Sequence, residues 1–236
     1  MIDARLQLHW AAQAAASVGR TLLSPKPDES HQSFSWSERH HALVQSATSD
    51  GVFSGIRLGD LTLLLLRDDA VEAEFPLDGK TLADAFAFYE HRLGRTLVRP
   101  SEGLPPHPVS DGAPFNPSAA DLSRLDHLYA HAATLLQAFV VRHREAGPVR
   151  LWPHHFDIAT LAGLGGGKTI GAGFVAGDAE IAEPYWYVTP WPYPKETSSL
   201  PLLTNGRWHT DGWVGAVLPN GDFLDEAYDH CVKLLG

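Results

Sequence analysis

Four side chains in the last third of the sequence could move protons or hold a cation: His155, Asp157, Glu183 and His209. His155 and Asp157 stand two apart in Leu151-Trp152-Pro153-His154-His155-Phe156-Asp157-Ile158. An extended backbone over that stretch puts both on one face, about 6–7 Å apart. The aspartate could then orient the imidazole, or both could reach one metal ion or substrate. The opposite face takes Trp152, His154, Phe156 and Ile158, so His154 reads as a packed histidine with a backbone partner. The plain alternative is a surface pair. Glu183 precedes Pro184 and the run Tyr185-Trp186-Tyr187. Proline biases it to extended backbone, and a partly apolar wall there would raise its pKa by desolvation. An ordinary rim carboxylate is the alternative. Arg207, His209 and Asp211 share one face of Gly206–Trp213. The Asp211-Gly212 pair is turn chemistry in its own right, whereas His209 has no such local reason.

The four residues supply nitrogen and oxygen ligands suited to a divalent zinc, iron or manganese ion, without the local signature of a helical zinc motif. A metal-free acid–base pocket would use the same groups. Tyr185, Trp186, Trp191 and Trp208 are the candidate substrate-binding rings. No serine stands in a nucleophile-elbow sequence, and Cys231 falls on the apolar side of the last helix, so covalent catalysis has little support.

The segment Gly165-Gly166-Gly167-Lys168-Thr169 invites a nucleotide-binding reading. The phosphate loop needs a glycine where Ala162 stands, and it must run into a helix. Ile-Gly-Ala-Gly-Phe-Val follows, which reads as a strand, so the glycines are a hairpin connection and Lys168 is solvated.

The elements that must position these groups alternate in period. Residues 3–23 form an alanine-rich helix with Leu6, Trp10, Ala14 and Val18 as its stripe, closed by Pro25 and Pro27. An extended stretch runs from Phe34 to about Ser46. Val52–Arg57, Leu61–Arg67 and Ala70–Phe75 follow as an antiparallel meander, their connections being too short for crossover helices. Thr81 with Asp84 caps a helix that ends at Gly94. Residues 100–117 hold six prolines and two glycines and suit neither helix nor central strand. The longest helix runs from Ala119 to about Glu145, with Leu125, Leu128, Leu135, Phe139 and Val140 on its apolar face. The period then falls to two. Val149–Ala162, Thr169–Ala176, Tyr185–Thr189 and one or two strands in Arg207–Val217 precede a short last helix opened by Asp222. Pro190, Pro192 and Pro194 require an edge or a strap rather than an interior strand.

The fold class expected is α+β, with antiparallel sheets in both halves packed against a long central helix and N- and C-terminal helices. The chain reads as a single unit over 1–236. Its internal division is a sheet and helix layer at 1–99, a proline-rich strap at 100–118, and the long helix with an aromatic-rich sheet at 119–236.

With 236 residues the chain can bury a sizeable core unaided. Its net charge is −10, the first 150 residues carrying 14 basic and 18 acidic side chains and the rest 4 and 10. No basic stripe offers itself to nucleic acid or to an anionic membrane. No apolar run approaches a membrane span, no secretion signal is visible, and one cysteine allows no internal disulfide, so the cytoplasm is the expected compartment. Five of the seven tryptophans fall between Trp152 and Trp213, which is where a binding wall or a contact surface is expected.

Several blocks together resemble the bacterial domain-of-unknown-function family DUF5996. They are Leu8-His9-Trp10, the proline-rich stretch before the long helix, the Trp152 to Asp157 strand, Gly173 to Gly177, and the aromatic, proline-rich tail. The resemblance implies one folded unit over nearly the whole chain. It brings no cofactor or catalytic residue. Its members often carry phenylalanine or glycine at one of the positions of His154 and His155, which implies that His155 chemistry is not shared across them.

Two functions fit. One is a small-molecule-binding protein with an aromatic pocket in the C-terminal half, an enzyme if the four polar side chains converge there as an acid–base or metal site. The other is a non-catalytic binding or homo-oligomeric assembly protein that uses the proline-aromatic strap, since large rigid amphipathic rings suit both pockets and contact surfaces.

Overall fold

The computed structural model describes residues 1–46, 48–100 and 103–236. Ser101 and Glu102 of the proline-rich stretch lie outside the described residues. The architecture is α+β and the strand pairing is antiparallel. Two compact units divide the chain: Met1–Ala130 with Arg150–Phe156, and His131–Val149 with Asp157–Gly236.

In the first unit, helix α1 (Ile2–Leu22) packs on strands β3 (Val52–Arg57) and β4 (Thr62–Arg67) and on helix α2 (Leu82–Leu93). The expected single stripe is too narrow: from Leu8 to Gly19 all of α1 but Trp10 is buried, small alanines allowing close approach on several sides. The stretch expected to be extended from Phe34 to Ser46 is a hairpin of β1 (Phe34–Ser37) and β2 (Ala42–Gln45), the turn residue His41 having φ 46°. β5 (Ala70–Pro76) completes the meander, and β6 (Arg150–Trp152) pairs with β1, giving the order β6-β1-β2-β3-β4-β5. The Thr81/Asp84 capping box opens α2, and Gly94 ends it in the left-handed conformation at φ 63°. Tyr89 pins α2 to the sheet, its hydroxyl 3.0 Å from both the Gly55 and Leu64 carbonyl oxygens.

Helix α3 (Ala119–Arg142) begins in the first unit and ends in the second. The second unit's strands are β7 (Asp157–Gly165), β8 (Lys168–Val175), β9 (Tyr185–Trp191), β10 (Arg207–His209) and β11 (Gly215–Leu218), in the order β10-β11-β9-β8-β7. Helix α4 (Leu224–Leu235) packs on β8 and β9. Gly165, Gly166 and Gly167 all have positive φ and turn the β7–β8 hairpin, as the rejection of a phosphate loop required. Lys168 is not simply solvated: its ammonium donates to the Leu235 carbonyl and, at 3.3 Å, to that of Gly236. Pro190 is accommodated because the registered pairs of β9 with β11 end at Val188, so only β8 flanks it.

Candidate functional site

The expected strand over Leu151–Ile158 is broken. β6 stops at Trp152, residues 153–156 make a turn, and β7 starts at Asp157. Phe156 takes φ 57°, a left-handed conformation that costs a bulky residue free energy. Contacts from two helices hold it there. The Tyr129 hydroxyl donates to the Phe156 carbonyl at 2.8 Å, and the His9 ring stacks on the Phe156 ring at 5.3 Å. On the other side of the turn, His9 Nε2–H and the Gln13 amide both donate to the Pro153 carbonyl, at 2.8 and 2.5 Å. His155 and Asp157 are therefore not neighbours on one strand face. The turn gives His155 to the first unit and Asp157 to the second.

His154 and His155 line a hollow of about 240 Å³ in the first unit, together with Gln13 and Arg20 of α1 and Glu29 and Gln32 of the loop after it. Gln13, Ser17 and Arg20 follow at four- and three-residue spacing, so they share a helix face. The Arg20 guanidinium donates to Gln13 Oε1 at 2.7 Å, to Ser17 Oγ at 3.2 Å and to Gln32 Oε1. All three acceptors are neutral. Among the described residues no carboxylate lies within 4 Å of this guanidinium; Glu29 instead accepts from the Gln32 amide at 3.2 Å and stands 3.7 Å from His154 Nδ1. Burial pulls the Arg20 pKa down to about 10 against the opposing pull of the Glu29 charge, still far above neutrality, so the cation persists partly desolvated. The His154 and His155 rings are 4.3 Å apart. Burial, then the neighbouring His155, lowers the pKa of His154, favouring its neutral form. Glu29, on the wall of the hollow, has positive φ (56°), as does Phe156 next to His155.

In the second unit, Asp157 accepts from the Tyr187 hydroxyl at 2.6 Å. The Tyr187 ring reaches it by lying across Gly173, where an added Cβ would stand 2.7 Å from both the ring and Ala159. Burial and the Asp157 charge push the Tyr187 phenol well above its usual range, so it remains a donor. Tyr185 makes the equivalent bond to Asp178 Oδ2 at 2.6 Å, while Asp178 Oδ1 accepts from the Glu180 and Ile181 amides. The carboxylate against the aromatic strand is thus Asp178; Glu183 is exposed in the bend before Pro184 rather than set in an apolar wall. His209 donates to the Asp211 carbonyl, stacks on Trp213 at 4.5 Å, and lies 3.5 Å from Glu180, which also accepts from the Trp213 indole at 3.1 Å.

The four candidate rings are divided by strand alternation. Tyr185 and Trp191 stand on the face of Tyr187; Trp186 is on the opposite face, packed on Phe174 at 5.2 Å, and Trp208, opposite Ala216 in register, shares that face. The second unit does hold histidine–carboxylate pairs, His209 with Glu180 and His143 with Asp225 at 2.6 Å. Among the described residues no group of three or more His, Cys, Asp or Glu side chains is gathered to hold a metal ion, so no chemical step is routed through one. None of the described helices is long and apolar enough to cross a membrane.

Sequence reasoning missed Arg20, Gln13, Gln32 and Glu29. A signal existed: an alanine-rich helix that carries Gln13, Ser17 and Arg20 on one face needs polar partners for them. No family model matches the chain, and neither a curated protein nor a solved structure is significantly similar to it.

Proposed function

We propose that this chain is a small-molecule-binding protein whose hollow at Arg20, His154 and His155 takes the carboxylate of a small organic acid. One observation carries the reading: among the described residues the half-buried guanidinium at the wall of the hollow bonds only to neutral oxygens and has no carboxylate within 4 Å, the Glu29 charge acting on it from farther off. A partly desolvated cation gains more from an arriving anion than an exposed one does, and the guanidinium fork matches a carboxylate. His154 and His155 add ring N–H donors at the same wall. Proton transfer to or from the ligand, the acid–base part of the reading, falls to this histidine pair, since Asp157 is bonded to Tyr187 and Glu183 is exposed. The resemblance to DUF5996 contributes no residue to the proposal.

Thermal-shift measurements against small carboxylates, matched amides and matched amines test it. A carboxylate at a hundred times its Kd should stabilise the protein by about 2.7 kcal/mol, with the amides and amines inert. Equal response to all three classes would contradict the reading. The metal branch is tested by elemental analysis before and after His155→Ala and His209→Ala. Bound metal lost in either variant would support it, and absent or unchanged metal would end it.

The assembly reading rests on Trp191 and Tyr193, which are 56% and 38% exposed and packed edge to face at 5.2 Å. Sedimentation of the wild type and of Trp191→Ser decides it. A dimer dissociated by the substitution would support assembly through the strap, and a monomer in both would reject it.

A further inference from the structure

A second hollow, of about 600 Å³, lies in the first unit and shares Pro100, Gly103 and Leu104 with the hollow at Arg20. Its chemistry is the opposite. Trp10, Leu82, Phe86, Leu104 and Val109 make its walls. The Trp10 indole is fixed by a 3.0 Å bond to the Pro105 carbonyl, which leaves the ring as a rigid apolar surface. Among the described residues the one charged side chain on the wall, Arg99, lies over the Phe86 ring at 3.8 Å and is paired with Glu90 at 3.1 Å, so it is already neutralised. Helix α1 links the two hollows: Trp10, Gln13, Ser17 and Arg20 recur at three, four and three residues, the pattern of one continuous helix face. From Trp10 to Arg20 that face extends about 15 Å along the axis.

We infer that the two hollows form one site for an amphipathic carboxylic acid, with its head on Arg20 and its apolar body along α1 between Trp10, Leu82 and Phe86. The inference rests on the carboxylate reading above and adds the ligand class. Charge and surface argue for it together. A cation with no carboxylate within 4 Å among the described residues stands at one end, a neutralised one is turned onto a ring at the other, and the polar and apolar hollows meet at Pro100, Gly103 and Leu104. A short hydrophilic acid would leave those walls in contact with water, whereas an acyl or aromatic body would cover them.

The test is calorimetric titration with acetate, butyrate, hexanoate and octanoate, with octanol as the headless control. Wild type should bind more tightly by about fourfold for each added methylene. Ala83→Trp fills the apolar hollow from an exposed position in the first turn of α2. Leu82→Glu places a charge in it at a helix position that tolerates acids. Either variant should flatten the series to the acetate level, leaving acetate binding unchanged, and Arg20→Gln should weaken every acid at least tenfold. A flat series in wild type, with acetate still bound at Arg20, would overturn the tail site and leave the head reading standing. A graded series untouched by Leu82→Glu and Ala83→Trp would place the tail elsewhere and likewise overturn it. Octanol binding as tightly as octanoate, or no acid binding at any length, would overturn the head reading and the inference with it.

Discussion

On the sheet face of the second unit, acidic side chains meet donors supplied by neighbouring strands and loops: Asp157 takes the Tyr187 hydroxyl, Asp178 that of Tyr185, and Glu180 the Trp213 indole. In the hollow of the first unit a guanidinium bonds, among the described residues, to amide and hydroxyl oxygens, with no carboxylate within 4 Å. Both regions are rich in polar and aromatic groups, and composition does not separate them. What separates them is charge matching. A carboxylate that accepts a short bond from a buried phenol is already stabilised and has little left to offer a ligand, whereas a partly desolvated cation without a close carboxylate would gain from an arriving anion.

If the second unit's pairs are structural, disturbing them should cost stability. Gly173→Ala should have the largest effect, because its Cβ would stand 2.7 Å from Ala159 and from the Tyr187 ring and hydroxyl oxygen. Overpacking plus a displaced donor should cost about 3–5 kcal/mol in chemical denaturation, and a loss below 1 kcal/mol would show that Tyr187 does not depend on that glycine. Tyr187→Phe removes only the hydroxyl and should cost about 1.5–3 kcal/mol by the same assay. A neutral outcome there would mean that the Tyr187 bond does not stabilise the fold, and the contrast between the two regions would fail.

The first unit carries its own signature in pH. His9 is buried, and desolvation, with repulsion from Arg5 and His155, lowers its pKa to about 4. The unfolded chain, with a histidine near 6.5, takes up the proton first as pH falls. Stability is therefore full above about pH 6.5 and declines toward pH 4, with about 2 kcal/mol lost by pH 5. His9→Gln retains a donor for the Pro153 carbonyl and should abolish that share of the decline, read as the difference in denaturation midpoint between pH 7 and pH 5. An unchanged pH slope would remove His9 from the account. The smallest effect is expected at Glu180→Gln: the side chain is exposed, so stability should move by no more than about 0.5 kcal/mol. A larger loss would give the His209–Glu180–Trp213 group a weight that its exposure does not predict.

Features encoded within a few residues of themselves were legible in the sequence. The Thr81/Asp84 box, the Gly94 stop, the meander turns and the glycine hairpin at 165–167 each follow from local backbone chemistry. The break at 153–156 was not. Its left-handed Phe156 has no local cause and is held by Tyr129, 27 positions away, while His9, 144 positions from Pro153, fixes the start of the turn. Extended backbone through that stretch would set His155 beside Asp157, whereas the turn separates them. Asp178 illustrates a partial success: its turn role was visible in Gly177-Asp178, but its second oxygen is engaged by Tyr185 across the turn. Arg20 was passed over because a charged residue near a helix end ordinarily projects into water. Only its convergence with Gln13 and Gln32, from the helix and from the loop after it, sets it on the wall of a hollow.

That charge is also where the account is most exposed to test. Titration of butyrate into wild type, Arg20→Gln and Arg20→Lys at pH 7, each confirmed folded by circular dichroism, measures it directly. The prediction is one saturable site in wild type, at least tenfold weaker with glutamine and partly restored with lysine. Equal affinity in all three proteins would contradict it.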